Sequence, residues 1–260
     1  MTHTSDITGL FDADRFRRMA SDHQAPYLSA EPYPHVVIDN FLPEEVARTL
    51  GDACPLPTDT SLPWVMSDKP EARKQYIQHE PTLHPALRGM FREFNSFNGV
   101  LFFEWLTGIE SLIPDPFLTG GGAHISGQGD FLKIHADLNW HHKILAYRRI
   151  NAILFLTENW QEEWGGRSEL WNSAGTECVQ AIVPRFNRLL VFEASESSFH
   201  GHPAPLETPP DVYRKSLNLY YYHRHTRPDD PETLEPHWTK YSTTASPHAS
   251  SLLPNYQQGN

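Results

Sequence analysis

From residue 117 onward the chain consists of short apolar runs separated by glycine, proline and asparagine, and this pattern constrains the fold most strongly. The main runs span residues 150–156, 168–171, 178–183, 188–192 and 214–222. They are rich in β-branched and aromatic residues, which favour strands. Because few helical stretches lie between them, they predict an antiparallel sandwich or barrel and argue against a sheet of βαβ units.

The earlier part of the chain has helical periodicity. Residues 6–25 predict a short amphipathic helix, and residues 43–53 predict a second one that begins with a proline and two glutamates. Residues 85–109 predict two helices with a break near Asn98–Gly99, and their aromatic residues predict core packing. Residues 54–72, rich in proline, serine and threonine, predict a loop.

These patterns indicate a single domain with three parts. We expect a supporting region of helices and a strand over residues 1–116, with a β-like run at residues 34–41. A barrel core is expected over residues 117–225. The polar residues 226–260 predict a C-terminal tail or lid.

Composition excludes several classes of protein. A net charge of −11 disfavours nucleic acid as a partner, because a basic patch drives phosphate binding. Cys54 and Cys178 lie far apart, which argues against a disulfide framework or a zinc knuckle. Residues 1–6 have no basic start or apolar stretch, and no apolar run approaches membrane-spanning length, so we expect a cytoplasmic protein with no membrane partner.

A His-x-Asp pair at His135 and Asp137 is the strongest candidate for a metal site. On an extended segment the two side chains share one face, because strand side chains repeat every two residues. The pair has little specificity by itself in a chain with 15 histidines. With a second, distant histidine at His200 it supplies two imidazoles and one carboxylate, which suits iron(II) and leaves half of the coordination sphere open.

Arg214 and Ser216 follow on a strongly β-prone run. Alternation puts Arg214, Ser216 and Asn218 on one face and Lys215, Leu217 and Leu219 on the other. A planar guanidinium beside a hydroxyl suits a carboxylate. Should Arg214 not hold it, Arg188 and Arg185 are the next candidates.

Together these residues resemble the iron(II)- and 2-oxoglutarate-dependent oxygenases, in particular the prolyl-4-hydroxylase-like branch. The resemblance rests on His135-x-Asp137, His200 and Arg214-x-Ser216. It extends to the segments 120–124, 164–171, 187–192 and 198–203, and runs from about residue 34 to about residue 222. It implies a mainly β fold, in which N-terminal helices pack against a double-stranded β-helix, or jelly-roll, core.

The resemblance also implies roles for individual residues. His135, Asp137 and His200 would bind iron(II), with His200 preferred over His202 as the ligand because it stands ahead of Gly201. Arg214 and Ser216 would hold the far carboxylate of 2-oxoglutarate, and the chain would use oxygen as the oxidant. Asn151 and His124 are further candidates for contact with the co-substrate.

Other polar residues near these motifs have plainer interpretations. His141 and His142 are adjacent, so on a strand they point to opposite faces and both cannot bind the same metal. Asp130 is most simply a turn residue, and Glu169 can project to either face of its strand.

The function expected from this set is hydroxylation of an unactivated C–H bond in a small molecule, an amino acid or a peptidyl residue. The carboxylate at Asp137 favours hydroxylation over halogenation, since related halogenases have a small residue there. The alternative is a non-oxidative, cupin-like barrel that acts as an isomerase or a sensor. Such barrels usually offer three histidines and a glutamate and have no use for Arg214-x-Ser216.

Overall fold

The computed structural model describes residues 9–227 and 234–244. Within them are four α-helices: α1 (Ala13–Ser29), α2 (Glu44–Ala53), α3 (Pro85–Phe94) and α4 (Phe97–Thr107). The strands are β1 (His35–Ile38), β2 (Val65–Lys69), β3 (Ala72–Ile77), β4 (Ile113–Pro114), β5 (Gly122–Ser126), β6 (Phe131–Ala136), β7 (Trp140–His141), β8 (Ala146–Phe155), β9 (Ser168–Trp171), β10 (Cys178–Ile182), β11 (Arg188–Glu193), β12 (His200–His202), β13 (Arg214–His223) and β14 (Lys240–Tyr241).

Eight of these strands form two antiparallel runs of four, in the orders β11-β8-β13-β5 and β6-β12-β9-β10. Strand β3 pairs with both β5 and β6 and joins the two runs, while β1 extends the first run beside β11. The mainly antiparallel sheet therefore curls on itself, and the strand order is that of a jelly roll. The predicted fold class is confirmed, and the predicted strands after residue 117 all form.

Alternating side chains on β8 and β13 pack into two different layers, the hydrophobic core under the helices and the wall of a cavity inside the barrel. One face of each strand packs under the helices, where Ile150, Ala152, Leu154, Leu217 and Leu219 belong to the main hydrophobic core. The opposite face points into the barrel, where Asn151, Ile153, Arg214, Asn218 and Tyr220 line a cavity. The alternation predicted for β13 is confirmed, and the same backbone carries the core and the cavity wall.

Phenylalanines fill the layer between the helices and the sheet. Phe16 of α1 lies edge-on to Phe102 of α4 with ring centroids 5.3 Å apart, and Phe41 stacks on Phe94 at 6.0 Å. All four rings are fully buried. Replacing such a residue by alanine typically costs about 3–5 kcal/mol, so this layer anchors the helices on the sheet. The prediction that the aromatic residues form the core is confirmed.

The structure corrects three helix and loop boundaries. The first helix begins at Ala13, because the side chain of Asp12 accepts from the backbone N–H of Arg15 at 2.8 Å and caps it. Residues 6–8 of the predicted 6–25 helix lie outside the described part. The break between the next two helices lies at residues 95–96, since Ser96 caps α4 by accepting from Gly99.

Gly99 itself is a helical residue that permits close packing. A Cβ at this position would lie 2.3 Å from the carbonyl oxygen of Glu93, so only glycine fits there.

The prediction of a loop over residues 54–72 is wrong in part, because β2 and the start of β3 form a hairpin within them. The sequence of β2, Val-Met-Ser-Asp-Lys, has weak strand propensity, so it does not predict a strand. Pairing with β3 determines the extended conformation of β2. In the described ranges, no helix has both the length and the apolar character needed to cross a membrane.

Candidate active site

Two neighbouring strands bring the three predicted metal ligands together. His135 lies near the end of β6, Asp137 follows one residue beyond it, and His200 opens β12 directly opposite His135. The Nε2 atoms of His135 and His200 lie 3.4 Å and 3.5 Å from the carboxylate oxygens of Asp137. One donor atom from each residue falls within 4.8 Å of the others, so the three side chains could hold one ion.

Both imidazoles are oriented for metal binding by their other nitrogen. Nδ1 of His135 lies 2.8 Å from the carbonyl oxygen of Lys133, and Nδ1 of His200 lies 2.9 Å from that of Ser198. A carbonyl oxygen only accepts, so each Nδ1 carries the proton and each Nε2 has a free lone pair. Two neutral imidazoles and a carboxylate match the donor set that iron(II) prefers.

Asp137 is held as a carboxylate by its surroundings. Nη1 of Arg148 lies 2.9 Å from its Oδ2, and the side-chain amide of Asn151 donates to the same oxygen at 2.7 Å. Burial acts to raise the pKa of Asp137, but the polar and charged groups around it, led by Arg148, outweigh burial and bring the pKa well below its usual range. The carboxylate is therefore charged and fixed in direction.

Arg148 was missed by sequence reasoning, although it is buried beside the candidate metal site. Its guanidinium lies 3.7 Å from the ring centroid of Tyr220, and its Nη2 donates to the hydroxyl of Tyr222 at 3.3 Å. Burial acts to lower the pKa of Arg148, but the neighbouring hydroxyl and carboxylate groups raise it, so the side chain is charged. Nothing in the local sequence distinguishes Arg148 from Arg149, which pairs with Glu193 instead.

Arg214 lies at another part of the same cavity. Its Nε donates to the carbonyl oxygen of Gly166 at 2.9 Å, its Nη2 donates to Ser168 at 3.0 Å, and its guanidinium packs over the ring of Phe155. No carboxylate pairs with it among the residues that the structure describes. Burial lowers the pKa of Arg214 to about 10. A carboxylate ligand would compensate this buried charge.

The other predicted contacts of the co-substrate are placed differently. Ser216 is fully buried and its hydroxyl donates to Asn218 at 2.8 Å, so Asn218 reaches the cavity in its place. His124 lines the cavity and stacks on Tyr76 at 4.6 Å, and burial lowers the pKa of His124 to about 3. Asn151 also lines the cavity, and its buried Oδ1 has no hydrogen-bond partner among the described residues.

The remaining histidines and acids divide as follows. His202 lines the cavity but lies outside the three-residue cluster, and burial holds its pKa well below the usual value. His141 bonds to Thr119 at 2.8 Å, so its ring is engaged elsewhere. Asp130 accepts from Gly127 in a turn, and Glu169 accepts from the indole of Trp171.

Part of the C-terminal segment lies against β6, the strand that carries the candidate metal ligand His135. Strand β14 pairs with β6 so that Tyr241 is opposite His135, with ring centroids 5.6 Å apart. Glu196 holds this segment through Lys240 at 2.6 Å and through His237. The rest of the predicted tail, residues 228–233 and 245–260, lies outside the described part.

Comparison with known proteins adds a family match. A model of the 2OG-Fe(II) oxygenase superfamily matches residues 121–222. Mouse prolyl 3-hydroxylase OGFOD1 is 26% identical over 215 residues, covering 79% of this chain and 35% of that protein. Prolyl 3-hydroxylase OGFOD1 of Xenopus laevis is 27% identical over 182 residues, covering 66% of this chain and 32% of that protein. The chain thus spans about a third of the length of these relatives.

Solved structures share the fold at low sequence identity. A prolyl hydroxylase of Trichoplax adhaerens, in complex with a hypoxia inducible factor peptide, has a TM-score of 0.57 at 17% identity, covering 84% of this chain and 95% of that one. A Pseudomonas putida prolyl-4-hydroxylase has a TM-score of 0.51 at 20% identity, covering 81% of this chain and 100% of that one. The family model spans the strands that carry both the clustered side chains and Arg214, so residues 121–222 of this chain resemble the 2OG-Fe(II) oxygenase superfamily.

Proposed function

We propose that this protein is an iron(II)- and 2-oxoglutarate-dependent hydroxylase of an unactivated C–H bond. The observation that carries the proposal is one cavity that contains the His135, Asp137 and His200 cluster together with Arg214. The first three residues would hold iron(II), and Arg214 would hold the far carboxylate of 2-oxoglutarate. Asn218 and His124 are proposed to contact the co-substrate, whereas Ser216 would support Asn218.

The bound metal and co-substrate supply the oxidation: oxygen is consumed, 2-oxoglutarate becomes succinate and carbon dioxide, and one oxygen atom enters the substrate C–H bond. The protein's part is orientation and exclusion of water. Arg148 and Asn151 fix the carboxylate of Asp137, and the backbone carbonyls behind the two imidazoles fix their rings. Residues 234–244 are proposed to act as part of a lid over this site.

A prolyl residue in a peptide is the proposed substrate, with a free amino acid or another small molecule as the alternative. Support comes from the curated relatives, which are prolyl 3-hydroxylases. The cupin-like alternative predicts no consumption of 2-oxoglutarate, and the family match does not favour it. The single-domain division at residues 1–116, 117–225 and 226–260, the cytoplasmic location and the absence of a nucleic-acid partner stay predictions from sequence.

The test is succinate formation by the purified protein with iron(II), 2-oxoglutarate, ascorbate and air, with proline-containing peptides and amino acids screened for an added oxygen atom. We expect His135→Ala, Asp137→Ala and His200→Ala each to abolish turnover and to weaken binding of Mn(II), measured by electron paramagnetic resonance. His79→Ala is the matched control, because His79 is exposed and is not part of the three-residue cluster. Near-normal turnover in any one of the three variants would remove that residue from the site.

A further inference from the structure

Lys74 brings a second cation into the active-site cavity from outside the region that matches the family model. It lies on β3, the strand that joins the two runs of the jelly roll, and lines the cavity with His135, Asp137 and Arg214. Sequence reasoning missed Lys74, because residues 54–72 were predicted to be a loop and no motif marks the strand that follows.

The position of Lys74 is set by its neighbours on the sheet. Tyr76 lies on the same face two residues later, and the ammonium of Lys74 lies 5.6 Å from its ring centroid. Tyr76 in turn stacks on His124, its partner across the strands β3 and β5. The lysine side chain is thus held over an aromatic wall and directed into the cavity.

In the part of the chain that the structure describes, no acidic side chain pairs with the ammonium of Lys74. Among the described residues Lys74 forms neither a hydrogen bond nor an ion pair, and Asp137, the carboxylate that attracts it, already contacts Arg148 and Asn151. Burial lowers the pKa of Lys74, and the attraction of Asp137 does not offset this effect. A buried charge without a partner is costly, so a residue of this kind indicates a ligand of opposite charge.

The charges in the cavity favour a third anionic group. If the proposed function holds, the metal and Arg214 bind the two carboxylates of 2-oxoglutarate, while Arg148 balances Asp137. With the co-substrate in place, the charge of Lys74 is still uncompensated. We propose that Lys74 binds a carboxylate of the primary substrate, so that the enzyme acts on an acid or on a peptide with an acidic group near the oxidised residue.

A binding experiment tests this without turnover. The protein is loaded with Mn(II) under anaerobic conditions and titrated with N-acetyl-L-proline, N-acetyl-L-leucine and N-benzoylglycine, and with the primary amide of each. Titrations are made with and without 2-oxoglutarate, and the affinity for 2-oxoglutarate is measured separately. Lys74→Met removes the charge and Lys74→Arg keeps it. Lys69→Met is the matched control, because Lys69 is an exposed lysine of the same hairpin.

We expect the wild type to bind at least one acid about tenfold more tightly than its amide, as a charge-assisted hydrogen bond would give. Lys74→Met should abolish the preference, Lys74→Arg and Lys69→Met should keep it, and none should change the affinity for 2-oxoglutarate more than about twofold. The absence of any preference in the wild type, or its survival in Lys74→Met, overturns the proposal.

A loss of 2-oxoglutarate affinity in Lys74→Met also overturns it, since the carboxylate would then be the co-substrate's own. Failure of the wild type to bind 2-oxoglutarate refutes the proposed function instead, and the titrations without co-substrate still decide whether Lys74 selects a carboxylate.

Discussion

Replacing Arg214 by alanine should weaken 2-oxoglutarate binding more than any other change that spares the metal ligands. Arg214 is fully positioned before the ligand arrives, because Gly166 and Ser168 hold two of its guanidinium nitrogens and Phe155 lies beneath it. Binding of 2-oxoglutarate therefore costs little entropy from ordering the Arg214 side chain, so nearly all of the attraction between guanidinium and carboxylate contributes to the binding free energy.

The magnitude follows from this geometry. Truncating one partner of a buried, hydrogen-bonded charge pair costs about 2–5 kcal/mol. At about 1.4 kcal/mol per tenfold change, the dissociation constant of 2-oxoglutarate should rise roughly 30-fold or more. Arg214→Lys should recover only part of the loss, because an ammonium lacks the planar fork that donates two parallel hydrogen bonds.

Calorimetric titration of 2-oxoglutarate into the Mn(II)-loaded, oxygen-free protein measures this constant. Arg185→Ala is the control, since Arg185 is 53% exposed and pairs with Glu162. Metal affinity, measured in parallel, should stay unchanged in Arg214→Ala. A dissociation constant within about twofold of the wild type would refute the assignment of Arg214 to the co-substrate.

Two further changes test how the site is held. Arg148→Met should lower Mn(II) affinity about 10–100-fold, the usual effect of removing a group that orients a ligand, with Arg149→Met as the neighbouring control. Glu196→Gln should raise hydrogen exchange in residues 234–244 and increase succinate formed without product, because the neutral amide keeps only one acceptor oxygen and loses the charge that pairs with Lys240 and His237. Burial acts to raise the pKa of Glu196, but Lys240 and His237 outweigh burial and hold the pKa below its ordinary value of 4.5. In the wild type, protection of residues 234–244 from exchange should therefore be full above pH 4.5 and be lost as the pH falls through the lowered pKa. Equal exchange in the wild type and Glu196→Gln at neutral pH would contradict this prediction.

The barrel and the cluster of His135, Asp137 and His200 were predictable because short-range sequence patterns determine them. The alternation on β13 depends only on residues two apart, and it places Arg214 and Asn218 inward in the structure. The His-x-Asp spacing likewise holds, since His135 and Asp137 stand at the end of one strand. The choice of His200 over His202 could be made from sequence only by resemblance, whereas the structure adds the direct pairing of His200 with His135.

Residues that act across strands were not predictable in the same way. Arg148 reaches Asp137 because β8 and β13 bring Tyr220 and Tyr222 beneath its guanidinium, a relation that depends on register between distant segments. Lys74 enters the cavity only because β3 is inserted between β5 and β6. A single sequence records such registers weakly, since the pattern on each strand is compatible with several partners.

The two faces of β8 and β13 connect stability with function. On the outer face Leu154 and Leu217 pack under the helices, and on the inner face Asn151 and Arg214 point into the cavity. The inner face carries Arg214, a buried cation whose removal from water costs several kcal/mol before compensation. The apolar outer face offsets that cost, because burial of an aliphatic side chain contributes about 1.5–3 kcal/mol. The N-terminal helices are therefore part of the functional architecture: without them, the strands that position the charges would lose the packing that keeps those charges buried.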